Sequence, residues 1–191
     1  ITYRFTDVSD IEAVRAKYDK MVRRNIKIAR NKVEIIEEDN IDNLYAMLVK
    51  TFEHQGRSCP HKKKFINSIF EVCSAHNSAK IITAIDKDGN VHASSLFVYD
   101  EKTCYYLIAG SDPKFRASRA QTLVLDSGIE FASEHSKAFD FEGSMIEGIE
   151  NFFRRFGADR VLYYQIEKKG FIGELKTLLK PRIKKLLGYK N

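Results

Sequence analysis

A chain of 191 residues is the size of one domain, or of one domain with an appendage. Its 43% of hydrophobic residues can form a core, whereas 30% of charged residues and a mean hydropathy of −0.36 fit a soluble protein. No apolar run reaches the roughly 18 residues of a membrane-spanning helix. The net charge of +6 and the pI of about 9.1 permit an anionic partner, such as nucleic acid, a phosphate-bearing cofactor or an anionic membrane surface.

The cysteines and the start of the chain bear on where the protein works. Cys59, Cys73 and Cys104 are odd in number, lie far apart and form no Cys-x-x-Cys pair. This pattern argues for a reducing compartment and against a disulfide framework or a zinc site. The histidines show no metal-ligand spacing either. Because the chain begins at Ile1 and shows no signal peptide, we expect a cytoplasmic protein that is a fragment of a longer one.

The first third of the chain is predicted to be mainly helical. Ser9 and Glu12 have capping-box spacing and predict the start of a long helix. Its residues expected to face inward are Ile11, Val14, Tyr18, Met21 and Val22. In a later helix, Phe65, Ile69 and Val72 recur at helical spacing and are expected to face the core. The predicted elements are a strand over 2–7, a helix over 10–31, a strand over 33–38, and helices over 40–56 and 62–77.

The middle and end of the chain predict a sheet. Apolar runs separated by short polar turns are typical of antiparallel hairpins. The predicted elements are strands over 80–86, 91–99 and 103–109, a helix over 117–134, a strand over 138–142, a helix over 145–156, a strand over 160–166 and a basic helix over 171–187. The helix between 103–109 and 138–142 predicts a parallel, right-handed crossover. The fold class is therefore α/β (α+β), with a mixed, mostly antiparallel sheet flanked by helices.

The stretch FDFEGSMIEGIENFFRRFG (139–157) places two acidic residues within an aromatic strand. Asp140 and Glu142 are expected to alternate to the same face of that strand. One interpretation is that they pair with nearby arginine or lysine. The other is that they bind a substrate amine or act as a general base at the carboxyl end of the strand, where α/β sheets place ligands.

The rest of this stretch has a structural explanation. Ser144 and Glu147 form a second capping box, which predicts the start of the following helix. Gly157 fits the left-handed stop after that helix. The residues expected to form its core stripe are Ile146, Ile149, Phe153 and Phe156.

Three stretches of the chain resemble one enzyme family. RRNIKIARNK (23–32), YYLIAGSDPKFRASRA (105–120) and the 139–157 stretch are similar to motifs of the FemAB-like peptidoglycan aminoacyltransferases and their GNAT acyltransferase relatives. Those motifs are an Arg-Arg-x-Ile-x-x-Ala helix, a Tyr-Tyr-Leu strand and an Asp-Phe-x-Gly strand before a Phe-Gly stop. The resemblance implies a single GNAT-like domain over 1–191, the second of two such domains, with an N-terminal companion domain elsewhere in the protein.

The resemblance implies transfer of an acyl or aminoacyl group to an amine, for example of a peptidoglycan precursor in cell-wall synthesis. The donor is aminoacyl-tRNA in the FemAB group and acyl-CoA in ordinary GNAT enzymes, and neither is a tightly bound cofactor. Attack by an amine requires a base and donors to the oxyanion. We expect Glu142 or Asp140 to be the base, and the backbone amides near Gly110 and Ser111 to serve the oxyanion.

The expected phosphate site departs from the usual GNAT pattern. CoA-binding relatives usually carry a glycine-rich loop ahead of the helix, whereas KFRASRAQ (114–121) has no glycine. Arg116, Ser118, Arg119 and the N-terminus of the helix are therefore the expected ligands of the cofactor phosphates.

The remaining expected substrate contacts are spread along the chain. FemAB proteins often have a lysine three residues before the Phe-Gly stop, where this chain has Phe153, so that Arg154 or Arg155 is the expected replacement. Arg24 and Lys27 lie on a basic helical face that is either solvated or contacts the phosphates of tRNA or of a precursor. Tyr106 is expected to line the cleft, and Ser144 to contact the substrate.

Three hypotheses remain open from the sequence. The first is a FemAB-like aminoacyltransferase, and the second is an acyl-CoA-dependent N-acetyltransferase acting on a small molecule or peptide amine. The third is a non-catalytic fragment that binds an anionic partner. The basic C-terminal helix, within 171–191, docks on its own core or lies on the inner face of an anionic membrane.

Overall fold

The computed structural model describes residues 1–143, 146–164 and 166. The predicted helix 171–187 lies outside the described residues. The elements are β1 (Thr2–Phe5), α1 (Ile11–Ala16), α2 (Lys20–Arg30), β2 (Glu34–Glu38), α3 (Asp42–His54), α4 (Lys63–Ala75), β3 (Ala79–Ile85), β4 (Val91–Tyr99), β5 (Thr103–Ser111), a 3₁₀ helix (Pro113–Ser118), α5 (Ala120–His135), β6 (Ala138–Asp140), α6 (Glu147–Arg154) and β7 (Asp159–Val161).

Seven strands form one mixed sheet in the order β2-β3-β4-β5-β6-β1-β7. Every neighbouring pair is antiparallel except β5 and β6, which are parallel and joined through α5. The predicted fold class and the predicted parallel crossover are therefore confirmed. What the pattern of elements does not indicate is the position of β1, which lies between β6 and β7 and pairs antiparallel with both.

Strands β5 and β6 separate soon after they meet. Their pairing runs only from Thr103 opposite Ala138 to Tyr105 opposite Asp140, although β5 continues to Ser111. On its other side β5 carries a bulge at Leu107, since the register with β4 shifts at this point. A bulge bends the strand and increases its twist. The result is a cleft between the second half of β5 and the residues that follow β6.

The two faces of the sheet pack against different helices. In β4, Phe97 belongs to the large core formed with α5, whereas its neighbour Leu96 belongs to the smaller core formed with α3 and α4. Alternation of side chains along a strand produces this division. The helices approach closely: a Cβ on Gly128 of α5 would lie 2.1 Å from the ring of Phe97.

A buried acidic residue fixes the N-terminal helices to α5. The carboxylate of Asp126, which is only 1% exposed, accepts hydrogen bonds from Arg15 at 3.1 Å and from the Tyr18 hydroxyl at 3.1 Å, and it pairs with Arg30 at 3.5 Å. These three residues come from α1, α2 and the turn between them. Burial, chiefly, and the charge of Asp126 raise the pKa of Tyr18, so this phenol stays protonated and keeps its donor role.

Some predicted elements need correction. The long helix over 10–31 is two helices, because Asp10 caps α1 and Asp19 caps α2, and Ser9 bonds to Asp7 instead of capping. Met21 is 50% exposed rather than inward-facing.

The facing predicted for two later helices is also wrong in part. In α4, Phe65 and Val72 are exposed, whereas Ile69 packs as predicted against a core that this helix enters with Ile66 and Phe70. In α6 and the residues that flank it, Phe153 and Phe156 are buried as predicted. The other two members of the predicted stripe, Ile146 and Ile149, are exposed. Gly157 adopts the predicted left-handed conformation, with φ of 77°.

Gly110 generates the first prediction. A Cβ at this position would lie 2.3 Å from the backbone nitrogen of Leu48, so Gly110→Ala must push α3 away from β5. We expect a loss of about 1–3 kcal/mol in the free energy of unfolding, the usual cost of overpacking. The matched control is Gly148→Ala in α6, where the described residues leave the space around the added carbon empty. Urea denaturation of both variants measures the difference, and equal midpoints would contradict this close packing.

Asp126 generates the second prediction. Asp126→Ala leaves the buried Tyr18 hydroxyl and part of the Arg15 guanidinium without their acceptor. We expect a loss of about 3 kcal/mol in the free energy of unfolding. Glu130→Ala is the control, because Glu130 also pairs with Arg15 but is 48% exposed, and such a pair contributes about 1 kcal/mol or less. Equal effects of the two variants would show that Asp126 does not anchor α1 and α2.

Candidate functional site

Two neighbouring cavities lie at the carboxyl end of β5. Cavity 1, of about 460 Å³, is at the N-terminus of α5 and is bordered by the 3₁₀ helix Pro113–Ser118. Cavity 2, of about 420 Å³, occupies the cleft between β5 and the residues after β6. The two share the wall residues Ser111, Gln121, Ile149 and Phe152. The two cavities are therefore adjacent, with these four residues between them.

Cavity 1 is suited to an anion. Arg116 and Arg119 line it, both are exposed, and neither forms an ion pair with the described part of the chain. They lie at the N-terminus of α5, where the helix dipole also favours negative charge. Ser118 lines the same cavity, and its hydroxyl accepts a hydrogen bond from the Ala120 amide at 3.3 Å. All three predicted phosphate ligands are therefore brought together.

The backbone of Arg119 has the left-handed conformation that is usually found at glycine. Arg119 has φ of 62°, in the left-handed region, and occupies the N-cap position of α5. A residue with a Cβ is rarely found there, and strained positions of this kind cluster at binding sites. Glu142, in cavity 2, is also left-handed with φ of 58°. Each cavity therefore has one strained, charged residue in its wall.

An aromatic pair forms another part of the wall of cavity 1. The rings of His92 and Phe115 stack with centroids 4.0 Å apart and planes 7° from parallel. Nε2 of His92 lies 3.1 Å from Asp86, whereas its buried Nδ1 has no hydrogen-bond partner among the residues described. The histidines show no metal-ligand spacing in the sequence, so His92 was not among the predicted site residues.

The two predicted acids separate into different environments. Asp140 ends β6 and is buried; it pairs with Arg4 at 3.6 Å and accepts hydrogen bonds from the Thr2 hydroxyl and from the Glu142 amide. Glu142 follows in a turn, so the expectation that both acids share one strand face is wrong. Asp140 thus takes the structural interpretation of pairing with an arginine, while Glu142 lines cavity 2.

Glu142 has the electrostatics of a base. Loss of hydration in the cleft, and secondarily the charge of Asp140, raises the pKa of its carboxyl above the ordinary 4.5. The described part of the chain offers its side chain no hydrogen-bond or ion-pair partner. A higher pKa makes the carboxylate a better proton acceptor.

Gln121 joins the two cavities and was not singled out in the sequence. Its amide nitrogen donates to the hydroxyls of Tyr106, at 2.6 Å, and Ser95, at 3.0 Å. Tyr106 lines cavity 2 as predicted, and burial raises its pKa to about 12, so it stays protonated. The only sequence signal for Gln121 is its position in the first turn of a helix that follows a basic loop.

The predicted oxyanion residues have structural partners. Gly110 lines cavity 2, but it is also the contact point for the backbone of α3. The Ser111 amide donates to the hydroxyl of Thr51 at 2.9 Å. Ser111 still borders both cavities, with its amide already engaged.

Several predicted substrate contacts do not line either cavity. Arg154 pairs with Asn151 at 3.1 Å and approaches Glu150, and its predecessor Phe153 packs in an aromatic cluster with Tyr106 and Phe141. No cation therefore occupies the position of the expected lysine in the described structure.

The basic face of α2 also lies outside the cavities. Arg24 and Lys27 are exposed, whereas Asn25 between them lines cavity 1. Ser144 lies outside the described residues. Over the described ranges, there is no group of three or more potential metal ligands and no helix long and apolar enough to cross a membrane.

Solved structures with the same fold include several transferases. FemX superimposes with a TM-score of 0.72 at 11% identity, over 83% of this chain and 58% of that one. The C-terminal domain of a putative lysylphosphatidylglycerol synthetase from Agrobacterium fabrum gives a TM-score of 0.59 at 11% identity, over 83% and 56%. This chain thus spans little more than half the length of either structure.

A shorter protein is covered almost completely. An aminoglycoside acetyltransferase from an uncultured soil metagenomic sample, solved with sisomicin, gives a TM-score of 0.51 at 12% identity, over 73% of this chain and 99% of that one. No curated protein matches the sequence. The family model for the acetyltransferase (GNAT) domain matches residues 12–163, which include all the lining residues of both cavities. The chain therefore belongs to the acetyltransferase (GNAT) domain family.

Proposed function

We propose that this protein transfers an acyl group from a CoA thioester to a primary amine. The observation that carries the proposal is the shared wall of the two cavities. Phosphates held by Arg116 and Arg119 at the N-terminus of α5 leave the rest of the donor free to pass Gln121 and enter the cleft beside β5. The acyl carbonyl then lies in the cavity that contains Glu142.

The proposed reaction needs no covalent enzyme intermediate. Glu142 takes a proton from the acceptor ammonium or amine, and the nitrogen lone pair attacks the thioester carbonyl. The new C–N bond forms, the C–S bond breaks, and the thiolate leaves. Tyr106 is a poor source of the proton for that thiolate, because its pKa is about 12, so water supplies it.

The oxyanion is assigned to backbone amides of β5. The bulge at Leu107 leaves a residue outside the ladder with β4, and from Tyr106 onward β5 has no described strand partner on the β6 side. Amides on this open edge are fixed in position and face the cleft, which suits a developing negative charge. The Ser111 amide is less suited, since Thr51 already accepts its hydrogen bond.

A second candidate donor is aminoacyl-tRNA. The exposed basic face of α2, with Arg24 and Lys27, and the fold shared with FemX favour it. The resemblance to FemAB proteins leads one to expect a lysine at position 153, but this chain has a buried phenylalanine there. This difference favours the CoA thioester as the donor. With either donor, we propose that this chain is one domain of a longer, two-domain protein that works in the reducing cytoplasm. If the donor is aminoacyl-tRNA, the proposed acceptor is a cell-wall precursor.

Donor binding is tested by a thermal melt of the chain with and without acetyl-CoA at millimolar concentration. A ligand at about 100 times its Kd adds roughly 2.7 kcal/mol to the free energy of unfolding, which raises the Tm by several degrees. No shift, together with tRNA binding that weakens steeply with added salt, would replace the CoA donor by aminoacyl-tRNA. If the chain shows neither the thermal shift nor salt-sensitive tRNA binding, the proposed function is contradicted.

Arg119→Gly separates binding from folding. Glycine tolerates the left-handed backbone, so the free energy of unfolding should change by no more than about 1 kcal/mol. Loss of the guanidinium should weaken acetyl-CoA binding about tenfold, the effect of one charge-assisted hydrogen bond. Asn77→Gly is the matched control, because Asn77 has φ of 51° but lies in the turn after α4 and lines neither cavity. Equal affinities of the two variants, measured by calorimetry, would remove Arg119 from the donor site.

Glu142→Gln tests the base. Only the deprotonated carboxylate accepts a proton, so kcat/KM should rise with pH through the pKa of Glu142, which lies above 4.5. The variant should lose about 10²–10⁴-fold in kcat and lose this acidic limb of the pH profile. Glu147→Gln, an exposed residue that lines neither cavity, should keep both. An unchanged acidic limb in Glu142→Gln would assign the proton transfer to another group.

A further inference from the structure

The wall of cavity 2 is mainly apolar. Six of its lining residues have hydrocarbon side chains and come from β5, the segment after β6, and α6: Leu107, Ala109, Phe141, Ile149, Phe152 and Phe153. Leu107 and Ile149 are each 38% exposed, so they present free apolar surface to the cleft rather than to the core. A ligand that covers this surface gains from apolar burial.

Two hydroxyls in this wall, those of Thr51 and Tyr106, are already hydrogen-bonded within the protein. The Thr51 hydroxyl donates to the Met47 carbonyl at 2.9 Å and accepts from the Ser111 amide at 2.9 Å. The Tyr106 hydroxyl accepts from Gln121 at 2.6 Å. These side chains therefore offer little hydrogen bonding to a substrate that carries several hydroxyl groups.

Glu142 is the exception and sets the sign of the charge. It is the one charged side chain among the described residues of this wall, which include no lysine, arginine or histidine. Asp140, two residues earlier, adds a second negative charge nearby, partly balanced by Arg4. An anionic group in cavity 2 would face the Glu142 carboxylate with no described cation to pair with it.

We propose that cavity 2 selects, as acyl acceptor, a primary amine on an uncharged aryl or alkyl body. This inference rests on the proposed function and names its acceptor. The ammonium pairs with Glu142, which then accepts the proton, while the apolar body covers Leu107, Ile149 and Phe152. A cavity of about 420 Å³ has room for one aromatic ring next to the acyl end of a donor. Sugar amines and amines that carry a carboxylate or phosphate are disfavoured.

Three amines test the proposal on the full chain: 2-phenylethylamine, L-phenylalanine and glucosamine. The first two share the aryl group and differ by a carboxylate, whereas glucosamine replaces the apolar body by hydroxyls. Thiol release from acetyl-CoA measures turnover, and ligand-observed NMR measures amine binding without a donor. We expect 2-phenylethylamine to be preferred at least tenfold in kcat/KM, or in affinity if turnover is slow. Equal or stronger preference for either other amine overturns the proposal.

Two variants locate the selectivity. Leu107→Asn should weaken the binding of 2-phenylethylamine several-fold, while Phe65→Asn, an exposed position on α4 that lines neither cavity, should leave it unchanged. Equal effects would overturn the placement of the amine in cavity 2. The acetyl-CoA melt distinguishes failure of this inference from failure of the proposed function. If acetyl-CoA raises the Tm but thiol is released only when a polar amine is the acceptor, the acceptor class alone is refuted. If the chain responds to no donor, the proposed function is refuted.

Discussion

The site depends on the early separation of β5 from β6. Only three residue pairs join these parallel strands, and the bulge at Leu107 turns the rest of β5 away. The opening is kept because helices hold the sheet from both faces. On one face the backbone of α3 reaches β5 where Gly110 has no side chain, and on the other α5 lies on β4 where Gly128 has none. The cleft is thus a rigid consequence of packing.

Charge and strain are distributed over this frame in a way that suits two substrates. Arg119 and Glu142 both have left-handed backbones, and they lie in the walls of different cavities with opposite charge. A phosphate-bearing donor and a cationic amine would thus be drawn to two adjacent cavities. The aromatic cluster around Phe141 and Phe153 fixes the wall between β6 and α6, so that the carboxylate is held by a well-packed segment.

Much of the fold and part of the site could be predicted from the sequence. Hairpin turns and alternating runs indicated β3, β4 and β5, and the helix before residues 138–142 indicated a parallel partner, because these features depend on local periodicity and chain connectivity. Arg116, Ser118 and Arg119 could be assigned together because they are adjacent in a loop before a helix. Gln121 could not, since its role comes from contact with Ser95 and Tyr106 on two strands.

The sequence by itself determined the order of the elements, the basic loop before α5 and the presence of two acids at the end of an aromatic strand, since all of these are local. Only the tertiary structure decided where each acid lies. Strand β1, at the start of the chain, pairs with β6 and β7, so Thr2 and Arg4 bind Asp140, whereas Glu142 lines the cavity. Contacts between residues more than 130 positions apart depend on strand order, which no local pattern encodes.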